Sequence, residues 1–222
     1  MSHYAFTFQG EILHALASGA LFWPKQNLFC VSDLHFGKAQ RYATQGGSTL
    51  PPYDTLDTLT RLSDDISNTM ARTVICLGDS FDRVGASDDM DDQAHDWITR
   101  LQAGRDWLWI EGNHDPGPIG LGGIHLANHT VGSISFRHIT DQRTRGEISG
   151  HYHPKVSLKL SKRNVSKRCF IVDEDRIIMP AFGTYTGGLS VLSEPLVSIM
   201  KRNSTCILTG LQALPIPRPN AT

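Results

Sequence analysis

Leu28-Phe29-Cys30-Val31-Ser32-Asp33-Leu34-His35 is the stretch that decides the fold: four apolar residues run into an acid and an imidazole. The arrangement occurs twice more. Val74-Ile75-Cys76-Leu77 leads into Gly78-Asp79-Ser80-Phe81-Asp82-Arg83, and Trp107-Leu108-Trp109-Ile110 leads to Gly112-Asn113-His114-Asp115. Such short apolar runs read as strands. Strands that end in Asp, His or Asn place those groups at the carboxyl edge of a sheet, where α/β folds bind their ligands.

Working outward, Gly37 to Thr44 predicts a short helix. Tyr53 to Met70 predicts a longer one, with Leu56, Leu59, Leu62 and Ile66 at helical spacing. The acidic loop Ala86 to Asp92 leads into a third helix through Leu101, where early acids suit the helix dipole. Gly46-Gly47, Pro51-Pro52, Pro116-Gly117-Pro118 and Gly120 to Gly123 mark loops. Tyr4 to Pro24 reads as short strands and turns. Beyond Ile124 the pattern turns to β: Ser133–Phe136, Gly146–Ser149, Val156–Leu160, Arg168–Val172, Arg176–Met179, Leu189–Leu192 and Thr205–Leu208, with Asp173-Glu174-Asp175 as a hairpin turn. Strand–helix alternation followed by strands predicts a layered α/β domain with helices outside its sheets. It is expected to span residues 1–214, with a proline-rich, frayed tail at 215–222.

At 222 residues the chain is long enough for one large domain. A net charge of -1 gives no global field for nucleic acid, which makes local clusters more informative. Lys155, Lys159, Lys162, Arg163, Lys167 and Arg168 lie between Pro154 and Val172 with no acid among them. That suits a surface tracking phosphates, or lysines blunting an exposed sheet edge. Arg143 and Arg145 add to it. Cys30, Cys76, Cys169 and Cys206 are scattered, never C-x-x-C, and are expected to be reduced and structural. No basic segment followed by an apolar one opens the chain, and no apolar run approaches the ~18 residues of a membrane span. A cytoplasmic protein without membrane partners is expected.

Asp33, His35, Asp79, Asn113, His138, His151 and His153 form a set of candidate ligands whose oxygen and imidazole donors suit hard or borderline divalent ions. A bridging Asp79 completes two ion sites. Asp33 and His35 would face opposite ways on an extended strand, so their convergence requires a turn at Leu34 to Gly37. His125 and His129 remain alternatives to His138. Gly78, Gly112 and Gly150 sit beside ligands, where a Cβ would obstruct close approach. Paired cations neutralise a phosphodiester and stabilise its attacking and leaving oxygens. The chemistry indicated is phosphoester hydrolysis.

The ordered strings D-x-H, G-D-x-x-D-R, G-N-H-D, a lone His and G-H-x-H resemble the calcineurin-like metallophosphoesterase superfamily from Asp33 to His153. Four further strings narrow this: Trp23-Pro24, Ser32-Asp33-Leu34-His35-Phe36-Gly37-Lys38, Gly150-His151-Tyr152-His153-Pro154 and Pro180-Ala181-Phe182-Gly183-Thr184-Tyr185-Thr186-Gly187-Gly188-Leu189. They resemble the ligase-associated DNA damage response endonuclease family, PdeM. The resemblance implies a four-layer α/β sandwich of two mainly β sheets flanked by helices. It implies that Asp33, His35, Asp79 and His153 hold one ion, and Asp79, Asn113, His138 and His151 the other. His114 would be the catalytic acid, oriented by Asp115. Arg83, Lys38 and Tyr185 are the candidate substrate contacts. Ile139 follows the lone His where the superfamily often has Gly. The implied activity is a DNA endonuclease or phosphodiesterase in repair. It would use two divalent ions, manganese foremost with iron, zinc, cobalt or magnesium as alternatives. DNA is the implied substrate, with functional association with a DNA ligase and a helicase. A phosphodiesterase or phosphatase for a small nucleotide or metabolite is the alternative reading. A non-catalytic platform would have no need of His114.

Overall fold

Neighbouring residues of the apolar runs face different layers, and that alternation builds the molecule. In β4 (Leu28–Val31), Phe29 and Val31 pack towards an outer helical layer while Leu28 and Cys30 pack inward. The same split holds in β5 (Thr73–Leu77) and β6 (Asp106–Ile110), where Ile75, Leu77, Leu108 and Ile110 face inward. A strand buried on both faces has no polar side, so it reads as a continuous apolar run. The computed structural model describes residues 2–44, 51, 53–117, 120–160 and 163–220. Gly46-Gly47, Pro52, Pro118, Lys162 and the last two residues of the tail lie outside the described residues, as does the side chain of Arg163.

The first sheet runs β1 (His3–Phe8), β2 (Glu11–Leu16), β3 (Leu21–Trp23), β4, β5, β6, β7 (Ile124–Leu126). It is antiparallel as far as β4 and parallel from β4 to β7. Three helices punctuate this half: α1 (Lys38–Thr44), α2 (Asp54–Thr69) and α3 (Asp92–Gln102). Leu59, Leu62 and Ile66 of α2 and Ile98 of α3 cover the outer face. Asp91 caps α3, its carboxylate accepting from the Ala94 amide at 2.7 Å.

The second sheet contains β8 (Asn128–Val131), β9 (Ile134–Arg137), β10 (Glu147–Ser149), β12 (Arg163–Val172), β13 (Arg176–Ile178), β14 (Thr205–Leu208) and β15 (Leu214–Pro217), with β11 (Lys155–Leu160) paired to β12. Phe136, Ile148, Phe170, Ile177 and Ile207 meet the first sheet in the central core. Cys169, Ile171, Ile178 and Cys206 face the other way, under the short helix α4 (Leu196–Ile199). Helices, sheet, sheet and a thin outer layer give the expected α/β sandwich of two mixed sheets. All four cysteines are free and buried. Among the described residues no helix is long and apolar enough to cross a membrane.

The structure corrects several boundaries. Residues 215–217, expected to fray, form an edge strand with β14. Pro215 and Pro217 are tolerated there because an edge position needs no donor on its open side. Leu189–Leu192 is no strand. Lys155 brackets Ser190 in a single bridge, and the Ser190 carbonyl and hydroxyl then take the amides of Ser193 and Leu192 in a turn. β12 begins at Arg163, because pairing with β11 extends it into a polar stretch. β7 and β8 went unread: their Asn, His and Thr residues lie in short, half-exposed strands. The Asp173–Asp175 turn is as expected, with the Asp173 carboxylate accepting from the amides of Asp175 and Arg176.

Candidate metal centre

The loops leaving β4 and β5 run side by side: the amides of Asp33, His35 and Phe36 bond the carbonyls of Gly78, Asp79 and Ser80. Asp33, His35 and Asp79 sit at φ 54°, 47° and 45°, and His151 and His153 at 69° and 46°. Left-handed backbone at a non-glycine residue costs of order 1–3 kcal/mol and persists where its surroundings enforce it. This is the turn that the Asp33/His35 spacing required. It swings both side chains into one space. Gly78 and Gly150 give room: a Cβ at Gly78 would lie 2.3 Å from the His138 ring, and one at Gly150 1.8 Å from Ser32 Oγ.

Two trios result, Asp33–His35–His153 and Asp79–His138–His151, with the donor atoms of each within 4.8 Å of one another. His153 Nε2 stands 2.9 Å from Asp33 Oδ1, and His138 Nε2 3.3 Å from Asp79 Oδ2. Asn113 joins the second trio, its Oδ1 3.1 Å from His138 Nε2. Among the three histidines left open by sequence, His138 is therefore the one at the site. His125 stacks on Trp109, and His129 lies on β8.

The rings are oriented from behind. Leu77 O sits 3.0 Å from His138 Nδ1 and Asp82 Oδ1 sits 3.0 Å from His35 Nδ1. A carbonyl only accepts, so His138 Nδ1 carries a hydrogen and Nε2 looks into the site. Both His35 ring nitrogens are buried without a hydrogen bond, Nδ1 standing beside Asp82 as a charge partner and Nε2 left open. A ring with one nitrogen anchored and the other aimed at carboxylates is how metal-binding histidines are held. This donor set fits divalent cations.

The carboxylates and imidazoles also pair with each other. Burial opposes charge on Asp79, but the His138 ring outweighs it and holds the acid at about 2. Burial likewise opposes charge on His138, and Asp79 and Asp33 outweigh it, raising the ring to about 9. His151 is pushed down by burial and by the neighbouring His138.

Asp115 does not orient His114, correcting the expectation. Its carboxylate accepts from the amides of Asp79, Ser80, Phe81 and Gly112 at 2.7–3.2 Å. It ties the two ligand loops together, and burial foremost raises it to about 6. His114 Nδ1 instead meets the Asp82 carbonyl at 3.1 Å, and its Nε2 lies 4.0 Å from Asp79 Oδ2. Lys38 lies 3.8 Å from buried Asp82, which also takes Arg41. Arg41 went unnoticed, although it lies one turn beyond Lys38 on α1. Arg83 turns to Asp89 and the Val84 carbonyl. Tyr185 lies half-exposed on the segment 180–189, at φ 60°. That segment straps the site: the amides of Phe182 and Gly183 bond the carbonyls of Ser32 and Asp33.

The sequence profile of the calcineurin-like phosphoesterases matches residues 27–201, which include every one of these donors. The chain belongs to the calcineurin-like phosphoesterase family. As a calcineurin-like phosphoesterase it is a metal-dependent hydrolase of phosphoric esters. No curated protein matches it. Among solved structures, nuclease MPE of Pseudomonas putida is similar, with a TM-score of 0.72 and 24% identity over 96% of this chain and 100% of that one.

Proposed function

We propose that the chain is a two-metal nuclease that hydrolyses phosphodiester bonds in DNA. The observation that carries the reading is the pair of donor trios, Asp33–His35–His153 and Asp79–His138–His151, with Asn113 on the second and His114 beside Asp79. Asp33, His35, Asp79 and His153 would hold one ion, and Asp79, Asn113, His138 and His151 the other. Bound there, divalent ions neutralise a phosphate and acidify a water molecule. Manganese is the ion we assign first.

His114 supplies the acid. Its Nδ1 donates to the Asp82 carbonyl, which fixes the ring and leaves Nε2 to hand a proton to the departing oxygen. Such a donor contributes about 10²–10⁴-fold. Asp115 acts at one remove, holding the Asp79 and Gly112 loops in register. Lys38, Arg83 and Tyr185 stay as proposed substrate contacts. The similarity to a nuclease supports a nucleic-acid substrate. The repair setting, and a working association with a DNA ligase and a helicase, rest on the PdeM resemblance.

A phosphodiesterase or phosphatase acting on a small nucleotide or metabolite is the competing reading. A manganese-supplemented assay separates the two. Nicked, single-stranded and duplex DNA are compared with cyclic nucleotides and aryl phosphodiesters at low enzyme concentration. We expect the highest kcat/KM on DNA; preference for the small esters would replace the nuclease reading.

A further inference from the structure

β11 and the first half of β12 form a hairpin that projects past the second sheet. Residues 163–168 of β12 pair with β11, whereas 169–172 pair with β14. Directly opposed residues of an antiparallel pair share a face, so the register sorts the basic cluster. One face holds Val156, Leu158, Val165 and Lys167. It lies on the side of Cys169 and Ile171 and packs against the outer core. The other holds Lys155, Ser157, Lys159, Asn164, Ser166 and Arg168. It is on the side of Phe170, which points at the first sheet. An inward face is where apolar residues belong in a packed sandwich. Here it has none, and it has no acid.

That face adjoins the ligand loops through the strap. Arg168 donates to the carbonyls of Ala181 and Thr186. A Cβ at Gly188 would lie 2.1 Å from the His153 carbonyl and 3.1 Å from the Lys155 side chain. Lys155, Lys159 and Arg168 make no ion pair with an acid among the described residues. Lys155 and Lys159, on one face and with no acid paired to them among the described residues, stand ready for an external polyanion.

We propose that the inward hairpin face, through Lys155 and Lys159, is a track for the phosphates of a polynucleotide beyond the bond being cut, and that Lys167 on the opposite face takes no part. This rests on the nuclease reading and sharpens it: the substrate is a chain several nucleotides long, not a mononucleotide. The track follows backbone charge and has no element for reading bases, so binding is indifferent to sequence.

The test is binding, so that it can fail independently of cleavage. A fluorescent, phosphorothioate-linked single strand of about 20 nucleotides is titrated into the full metal-loaded chain at several salt concentrations. Lys155→Gln/Lys159→Gln should weaken binding roughly tenfold and reduce the slope of log Kd against log salt by about one per lysine removed. Lys159→Gln alone, at an exposed position, should give half the slope change. Lys167→Gln should match the parent. Parental affinity and slope in the double variant would overturn the track, as would an equal loss from Lys167→Gln. Failure of the parent to cut DNA would count against the nuclease reading alone.

Discussion

His35 and His138 each turn one ring nitrogen toward a proposed ion site and rest the other against a different partner. His35 leans on the Asp82 carboxylate, itself engaged by Lys38 and Arg41. His138 leans on the main-chain carbonyl of Leu77, the last residue of β5. A carboxylate behind an imidazole makes it the stronger donor and is open to substitution. A carbonyl at a strand end is part of the sheet and cannot be mutated away. The first pocket is therefore adjustable from a side chain, while the second inherits the rigidity of the fold.

The largest effect is expected at Asp79, the residue proposed to serve both sites. Asp79→Asn should abolish hydrolysis and strip both ions, a larger loss than the roughly 10²-fold expected from removing an outer partner. Metal content per chain by mass spectrometry checks it. His114→Ala should lose about 10²–10⁴-fold in kcat on DNA while both ions remain. An aryl phosphodiester, whose leaving group needs less help from an acid, should lose much less. Near-normal turnover of DNA by that variant would remove His114 from its role. Asp82→Asn sharpens the contrast itself: about 10–100-fold weaker binding of one ion and no change in the other, read from a two-site titration.

The smallest effect is one of pH. In the chelated protein His138 is raised to about 9 from its ordinary 6.5 by Asp79 and Asp33, after the opposing effect of burial. A folded-state value above the unfolded one gives stability that is complete below pH 6.5 and lost as pH rises through 9. The melting temperature of the chelated protein should fall across that window. Loaded with metal, the His138 nitrogen is taken by the ion and this part of the fall should disappear.

The sequence disclosed the two pockets more readily than what stands behind them. β4, β5 and β6 were legible because burial on both faces leaves an unbroken apolar run up to the strand end, so Asp33, Asp79 and Asn113 stand out. Convergence of Asp33 with His35 was legible only as a requirement, since a left-handed turn at non-glycine residues leaves no compositional mark. Asp115 was misread because its partners are four backbone amides, which carry no side-chain signature. Arg41 was hidden for a related reason: its target, Asp82, lies 41 positions away. The hairpin's basic cluster was visible as composition. Which of its cations share a face depended on the register of β11 against β12.

The proposed chemistry stands or falls with two divalent ions sharing Asp79. Anomalous diffraction from crystals of the manganese-reconstituted chain would reveal them. Two peaks are expected, one within coordination distance of Asp33, His35 and His153 and one of Asn113, His138 and His151, with Asp79 between them. A single peak, or manganese bound away from Asp79, would contradict it.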